Sequence, residues 1–332
     1  MRFKWKGILA AGLLSTLFFG GCGSKETGAG NSGAKQAKTY TIGVTQIVEH
    51  PSLNNALKGF KRALKDERVS AKYDVQIAQG DQNNNQTIAN NFASDGVDLI
   101  FANSTPSALG ALNATKQIPI VFTSVSDPVG SGLVRSMEKP GGNITGTTDM
   151  HPDAIPKTIQ FMADQFKGKK VGVIYNAGEP NSVAQMNQVK KASKKYNLKI
   201  VPVTVSTSSE VKQAAESLAG KVDLFYIFTD NTVVSALESV IKVAEDDDIP
   251  LFVGELDSVK RGGFAAFGFE YYDIGYEAGK MAAQILKGEK KPGEISIEPP
   301  SKLKLVINQK AAKAMNIPIK DEWKKEAKII HE

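Results

Sequence analysis

Two apolar runs in this chain have the same pattern, and each ends in small polar residues. Residues 97–105 are VDLIFANST, and residues 222–232 are VDLFYIFTDNT. A continuous run of β-branched and aromatic residues predicts a strand that is covered on both faces. The polar residues that follow each run would lie at the carboxyl end of its strand, where open parallel α/β sheets hold their ligands.

Other landmarks recur in the same order in the two halves of the chain. An apolar-Gly-Val segment precedes a proline at residues 42–51 and again at residues 171–180, with eight positions from the glycine to the proline in both. The Ile-Pro pair at residues 118–119 is matched by the pair at 249–250. Two halves with the same ordered landmarks predict two lobes of similar topology.

Apolar spacing predicts strands and helices that alternate through both halves. In the first half we expect strands at 40–48, 72–78, from 97 and from 118, with helices from Pro51, at 85–93 and from Pro106. In the second half we expect strands from 170, at 198–205, 222–228, 250–253, 263–267 and 303–307, with helices at 154–166, 182–196, 209–218, 233–244 and 272–286. This alternation predicts an α/β fold in which helices cover both faces of parallel sheets.

The N-terminal segment has the pattern of a lipoprotein signal peptide. Arg2, Lys4 and Lys6 precede an apolar stretch at 8–19, and Gly20-Gly21 precede the single cysteine, Cys22. We expect residues 1–21 to be removed and Cys22 to carry a lipid anchor. Residues 22–38, rich in Gly, Ser, Ala and Lys, predict a flexible tether. The body would then lie at the extracytoplasmic face of the membrane, without an internal disulfide.

The rest of the chain is long enough for two lobes. We expect lobe 1 to contain residues 39–148 with about 270–300, and lobe 2 to contain 149–269 with about 301–332. Crossings between them are expected near residues 143–149 and at Pro299-Pro300. Without the three signal-peptide cations the formal charge falls from +6 to +3. This charge and the absence of aromatics among the lysine pairs argue against a nucleic-acid partner.

The sequence carries no recognisable catalytic or cofactor motif. It has no G-x-S-x-G, H-E-x-x-H or Walker pattern, and the three histidines are not spaced for zinc. The acidic run at 245–248 lacks the spacing of a calcium loop. A hydrolase would need a nucleophile, a base and an orienting group, which the histidines do not supply. We therefore expect a protein that is not an enzyme and has no cofactor and no metal.

Polar side chains at predicted strand ends are the candidate binding residues. Hydroxyl groups backed by helix N-termini near Pro106 and Pro128 would suit a carboxylate. Asp230 or Glu255 would suit an ammonium group, because a buried charge must be paired. Together they predict a zwitterionic ligand, an amino acid. The alternative for each residue is a plain helix cap. The candidates are Gln46, Glu49, Asn103, Ser104, Thr105, Ser124, Asp127, Asn176, Asn181, Asp230, Asn231, Thr232 and Glu255.

Several segments together resemble the ABC-transporter substrate-binding lipoproteins, within them the branch associated with tryptophan and phenylalanine uptake. They are the cysteine motif and residues 123–130, 178–182, 229–234 and 271–275. The resemblance spans about residues 40–317. It implies a periplasmic-binding-protein-like fold of type I, in which two Rossmann-like lobes joined by three crossing segments close on the ligand by hinge motion. It also implies an ABC permease partner and a monomeric protein.

Carried over by position, the resemblance assigns roles within the candidate set. Ser104, Thr105 and Ser124 would hold the ligand carboxylate, Asp230 and Glu255 the amine, while Asn181 and Asn231 would line the closing lobe. The expected function is the solute-binding component of an ABC importer that captures an aromatic amino acid. A sugar, a nucleoside or another small polar metabolite stays open as the ligand, as does a sensor role at a membrane receptor.

Overall fold

The computed structural model describes residues 38–167 and 169–332. The predicted signal peptide, Cys22 and nearly all of the predicted tether lie outside the described residues. Strands and helices alternate along most of the described chain, as the apolar spacing predicts. The strands are β1 (Thr39–Gln46), β2 (Ser70–Ile77), β3 (Leu99–Asn103), β4 (Ile120–Val125), β5 (Ile144–Thr148), β6 (Lys170–Tyr175), β7 (Lys199–Thr204), β8 (Leu224–Ile227), β9 (Leu251–Val253), β10 (Ala265–Gly268), β11 (Lys304–Asn308) and β12 (Ala327–Ile330).

The helices lie between these strands and cover the faces of the sheets. Two single turns of 3₁₀ helix, Ser208–Glu210 and Pro292–Glu294, accompany them. The α-helices are α1 (Pro51–Asp66), α2 (Gln82–Asp95), α3 (Thr105–Ala114), α4 (Ala154–Gln165), α5 (Pro180–Lys195), α6 (Val211–Leu218), α7 (Asn231–Ser235), α8 (Leu237–Asp246), α9 (Leu256–Arg261), α10 (Tyr271–Leu286), α11 (Gln309–Ala314) and α12 (Trp323–Glu326).

The strands form two separate sheets, which define two lobes. The sheet of lobe 1 is parallel, in the order β2-β1-β3-β4-β5, and α1, α2, α3 and α10 pack on it. The sheet of lobe 2 has the order β12-β11-β10-β9-β8-β6-β7 and is parallel except for the antiparallel pair β10 and β11. Parallel strands that are buried on both faces explain the continuous apolar runs in the sequence.

The chain passes between the lobes three times. It leaves lobe 1 after β5, returns before α10, and leaves again after Glu298, which forms a β-bridge with Thr147 of β5. Because α10 follows a strand of lobe 2 but packs on α1, lobe 1 contains residues distant in sequence. The exact lobe boundaries stay a prediction.

Some local features differ from the expectation. The predicted helix near Pro128 is wrong: residues 128–131 form a turn. Asp127 Oδ1 accepts a hydrogen bond from Gly130 N at 2.7 Å, which closes the chain into a turn instead of starting a helix. Helix α9 and strand β12 were not anticipated, because both are short and lack a long periodic pattern.

Glycines allow α1 and α10 to approach closely. A Cβ at Gly275 would overlap the carbonyl oxygen of Ala56, and a Cβ at Gly59 would overlap that of Tyr272. A Cβ at Gly279 would lie 2.6 Å from the carbonyl oxygen of Phe60. The helix backbones therefore touch each other directly, which fixes α10 on lobe 1.

We expect Gly275→Ala to lower the free energy of unfolding by about 1–3 kcal/mol, because the added methyl group has no space between the helices. Urea denaturation measures this change. Glu277→Ala is the control, since the Glu277 side chain on the same helix is 46% exposed, and its effect should stay within about 0.5 kcal/mol. Equal denaturation midpoints for the two variants would contradict the close packing.

Candidate ligand-binding site

A buried network joins three predicted site residues at the carboxyl ends of β1, β3 and β4. Asn103 Nδ2 donates to Gln46 Oε1 at 2.9 Å and to the carbonyl oxygen of Leu53 at 2.8 Å. Ser124 Oγ donates to Asn103 Oδ1 at 2.9 Å. These side chains therefore bond to one another and shape the edge of lobe 1.

Two residues at the same edge have a positive φ angle. Ser104 has φ 138° and Ser124 has φ 58°, both in regions that disfavour residues with a Cβ. Ser104 Oγ also accepts from Ser107 N and so caps α3. Strained conformations of this kind cost about 1–3 kcal/mol each and cluster at ligand clamps and active sites. The strain is consistent with the prediction that ligand-binding residues lie at the ends of β3 and β4.

In lobe 2 a carboxylate that the sequence analysis did not select organises the facing edge. Glu179 accepts hydrogen bonds from Thr232 Oγ1 at 2.7 Å, Thr232 N at 3.1 Å and Asn181 Nδ2 at 3.2 Å. Asn231 Nδ2 donates to it as well. The sequence signal was present, since Glu179 directly precedes Pro180 at the start of α5. Glu179 thus fixes Asn181, Asn231 and Thr232, which were predicted site residues.

Asp230 is buried and bonded within lobe 2. Its Oδ2 accepts from Asn176 N at 2.6 Å and Ser182 Oγ at 2.7 Å, and its Oδ1 accepts from Val233 N at 2.8 Å. Burial, followed by the negative charge of Glu179, raises the pKa of Asp230 to about 7. These contacts favour the capping alternative. The assignment of Asp230 to a ligand amine stays a prediction that the contacts do not support.

Glu49 and Asp127 make only local hydrogen bonds, whereas Asn176 joins the network of lobe 2. Glu49 is exposed and accepts from Asn54 Nδ2 at 3.3 Å, and Asp127 closes its turn. Asn176 Oδ1 accepts from Gly178 N, and Asn176 Nδ2 donates to Thr232 Oγ1 at 2.9 Å. The structure does not bring Glu49 or Asp127 into either buried network.

Four buried polar atoms have no hydrogen-bond partner within the residues that the structure describes. They are His50 Nδ1 and Thr105 Oγ1 of lobe 1, and Asn181 Oδ1 and Thr229 Oγ1 of lobe 2. Each lies directly beyond a strand or at the start of a helix that follows a strand. A buried polar atom without a partner costs about 1–3 kcal/mol, so a bound polar ligand is the expected partner.

Thr105 and Asn181 are among the candidate binding residues of the sequence analysis, and their role stays a prediction, whereas His50 and Thr229 are not among those candidates. The His50 side chain is buried, with 5% of its surface exposed. Burial, followed by the nearby Arg261 charge, lowers its pKa to about 4, so its imidazole is neutral at pH 7. The Thr229 side chain lies beside Tyr271. The candidate list contains the next residue, Asp230, but not Thr229. The position of Thr229 between the end of a predicted strand and Asp230 could have indicated a binding residue.

The crossing after β5 carries a further buried carboxyl group. Asp149 accepts from Ser126 Oγ at 2.8 Å and from the Tyr271 hydroxyl at 3.0 Å. Burial raises its pKa to about 6, and the nearby Glu255 carboxyl acts in the same direction. The rings of Tyr271 and Phe269 stack with centroids 5.4 Å apart. An acidic group beside aromatic rings thus borders the space between the lobes.

Two hydrogen bonds join the lobes across this space. Ser52 Oγ of α1 donates to Glu255 Oε2 at 2.6 Å. Gln185 Nε2 of α5 donates to Ser126 Oγ at 3.2 Å and to the carbonyl oxygen of Thr229 at 3.0 Å. Glu255, a predicted ligand residue, therefore bonds to the opposite lobe. The two sheets are held in a closed arrangement.

Across residues 38–167 and 169–332, no group of three or more His, Cys, Asp or Glu side chains is placed to hold a metal ion. In the same described part of the chain, no helix is both long and apolar enough to cross a membrane. The buried polar cluster between the lobes remains the candidate site.

Comparison with known proteins gives a family and a set of relatives. A family model described as ABC transporter substrate binding protein matches residues 41–330. A protein named "Tyrosine-binding protein" from Clostridioides difficile (strain R20291) is 43% identical over 322 residues, which cover 95% of this chain and 92% of that protein. The predicted family resemblance is confirmed.

Solved structures agree with the fold. A Streptococcus pneumoniae ABC domain in complex with L-Trp superimposes with a TM-score of 0.84 at 31% identity, covering 88% of this chain and 100% of that one. A ligand-free, open substrate-binding protein with adhesive properties from Clostridium difficile superimposes with a TM-score of 0.64 at 38% identity. The match covers 88% of this chain and 99% of that one.

A glucose-galactose binding protein from Geobacillus stearothermophilus shares the fold at a TM-score of 0.61 and 17% identity, covering 85% of this chain and 100% of that one. The predicted type I periplasmic-binding-protein-like fold is confirmed.

We expect Asp230→Ala to lower the free energy of unfolding by about 2–4 kcal/mol, because each buried donor left without its acceptor costs ~1–3 kcal/mol. Thermal and urea denaturation measure the loss. Asp223→Ala is the matched control: this exposed aspartate accepts two backbone N–H groups at the opposite end of the sheet, and its loss should cost about 1 kcal/mol. An unchanged stability of Asp230→Ala would contradict the capping role.

Proposed function

This chain belongs to the ABC transporter substrate-binding protein family, and we propose that the solute it captures is an aromatic amino acid, tyrosine or tryptophan. Proteins of this family act outside the cytoplasm and present their ligand to a membrane permease. The proposal on the ligand is supported by the site and by the relatives. Sugar-binding proteins among the structural neighbours are below 20% identical and share the fold alone.

The observation that carries the proposal is the pair of unpartnered polar groups on each side of the cleft. Thr105 opens α3, where the positive end of the helix dipole favours an anion such as the ligand carboxylate. Asn181 Oδ1 in lobe 2 can only accept, which suits a donor such as an ammonium group. A small molecule with a carboxylate at one end and an ammonium at the other satisfies both lobes.

The acidic character of the crossing supports an ammonium on the ligand. Asp149 is 8% exposed, and burial, together with the nearby Glu255 carboxyl group, raises its pKa to about 6. A cation placed near Asp149 would favour its ionised form and gain a charge-assisted hydrogen bond. The stacked rings of Phe269 and Tyr271 add apolar surface close to Asp149. We infer that the aromatic side chain of the ligand packs near these rings.

The closed arrangement explains how capture proceeds. The chain superimposes better on the tryptophan complex than on the ligand-free open protein, although the open protein is more similar in sequence. Ligand enters between open lobes, and closure buries it against groups from both sides. Only the contacts made in the closed form shift the equilibrium toward closure. The closed form is what the permease receives.

We also propose that Cys22 carries the lipid anchor. The residues before it have the charge and apolar pattern of a lipoprotein signal, and residues 23–38 would hold the binding domain away from the membrane. Such an anchor would keep the protein beside its permease. This part of the proposal rests on the sequence alone.

Calorimetric titration with the standard amino acids, glucose and adenosine tests the ligand. We expect tyrosine or tryptophan to bind at least about 10-fold more tightly than glucose or adenosine. Thr105→Ala and Asn181→Ala should each weaken that binding by about 10-fold, because each removes one buried hydrogen bond to a charged group. Thr115→Ala, at the other end of α3, is the control and should not change affinity. Tighter binding of glucose or adenosine would refute the proposed ligand class.

Expression of Cys22→Ser in a bacterial host tests the anchor. We expect the wild-type chain to fractionate with membranes and to incorporate labelled palmitate, whereas the variant does neither, because the thiol is the acylation site. Ligand affinity of the variant should be unchanged. Membrane retention of Cys22→Ser without label would show that the apolar N-terminal segment, rather than a lipid, holds the protein.

A further inference from the structure

One contact between the lobes is well placed to control closure without touching a ligand. Ser52, in the first turn of α1, donates to Glu255 Oε2 at 2.6 Å, and the two residues are 203 positions apart in the chain. Ser52 is 1% exposed and Glu255 is 3% exposed. The short distance and the burial of both side chains make this hydrogen bond a favourable contact of the closed lobes.

The same carboxyl oxygen is held in place from within lobe 2. Ser258 Oγ donates to Glu255 Oε2 at 3.0 Å, and both residues belong to the start of α9. The bond from Ser258 is internal to one lobe, so opening the cleft leaves it intact. The bond from Ser52 joins the lobes, so opening the cleft breaks it. Glu255 is thus held in position to receive a partner that arrives with closure.

Charged and titratable groups surround Glu255, but none of them takes the place of Ser52 as a hydrogen-bond donor to its carboxyl group. The one cation among them, Arg261, is bound to Glu238 at 2.8 Å. The neighbouring groups come from α9, the crossing, α10 and the residue before α1, and they are Asp257, Arg261, Asp149, Tyr271 and His50. Neutral hydroxyl donors therefore carry the hydrogen bonding of the Glu255 carboxyl group.

We propose that Glu255 is a positioning residue for ligand capture: it receives Ser52 of the opposite lobe only when the cleft closes, and this bond stabilises the closed form and slows ligand release. Glu255 does so through the lobes rather than through the ligand. The proposal rests on the proposed function for the choice of probe, tyrosine or tryptophan. It replaces the sequence-based assignment of Glu255 to the ligand amine.

Closure also changes the environment of the Glu255 carboxyl group. Burial raises its pKa to about 7 in the closed arrangement. The hydrogen bonds from Ser52 and Ser258 act to lower this pKa, but burial outweighs them. In open lobes water would return the pKa toward its usual lower value, so closure takes up a proton. Protonation of Glu255 therefore stabilises the closed form relative to the open form as pH falls through about 7. Asp149, with its raised pKa, acts in the same direction, whereas His50, with its lowered pKa, acts in the opposite direction.

A double-mutant cycle in the full chain tests the contact, with the dissociation rate of tyrosine or tryptophan measured by stopped-flow fluorescence. Ser52→Ala should raise the dissociation rate by about 10-fold, because a buried carboxyl group loses a donor. In a Glu255→Ala background the same change should have less than about a 2-fold effect. Ser193→Ala is the matched control, a buried serine bonded to the Val189 carbonyl oxygen within α5, and should leave the rate unchanged.

A pH profile separates this role from a merely structural one. As pH falls from about 8 to about 6, the affinity of the wild type should rise relative to that of Glu255→Gln, which cannot take up the proton. An equal effect of Ser52→Ala in both backgrounds, or parallel pH profiles, would overturn the proposal.

If the wild type binds neither tyrosine nor tryptophan, the ligand assignment fails and the contact is tested without ligand. Small-angle X-ray scattering should then give a larger radius of gyration for Ser52→Ala than for the wild type. Equal radii would overturn the role of Glu255 independently of the ligand.

Discussion

The burial of polar side chains between two sheets is the constraint on which this structure depends. Parallel strands bring their carboxyl ends to one edge, and the closed lobes place two such edges face to face. The polar side chains there are buried, so each of their atoms needs a hydrogen-bond partner. Most atoms find one within their own lobe. Those that do not, such as Thr105 Oγ1 and Asn181 Oδ1, define where a ligand belongs.

Internal networks hold the site in shape before a ligand arrives. Gln46, Asn103 and Ser124 fix one edge, and Glu179 fixes the other through several donors. Groups that are already oriented lose less conformational freedom on binding, which leaves more of the interaction energy for affinity. The strained backbone at Ser104 fits the same principle, because surrounding bonds maintain a conformation that an isolated chain would avoid.

Closure depends on contacts that the ligand does not make. The lobes are joined by Ser52 with Glu255 and by Gln185 with Ser126. A ligand shifts the equilibrium between open and closed forms only by its differential affinity for the two forms. Bonds between the lobes set the populations of the two forms before a ligand binds. The close contact of α1 with α10 keeps α10 on lobe 1 while the chain crosses between lobes. Rigid lobes and a few breakable bonds between them make hinge closure possible.

Sequence alone determined the alternation of elements, the two similar halves and the polar character of the strand ends, because these depend on local periodicity and composition. It also placed Thr105 and Asn181 among the candidate binding residues, a role that stays a prediction. Tertiary structure decided which polar groups are already satisfied: Asp230 is occupied by Asn176, Ser182 and Val233, and Glu255 by Ser52. It decided as well that Pro128 starts a turn and that His50 is buried and neutral. These outcomes depend on which partners meet in space, and partners distant in the sequence leave no local pattern.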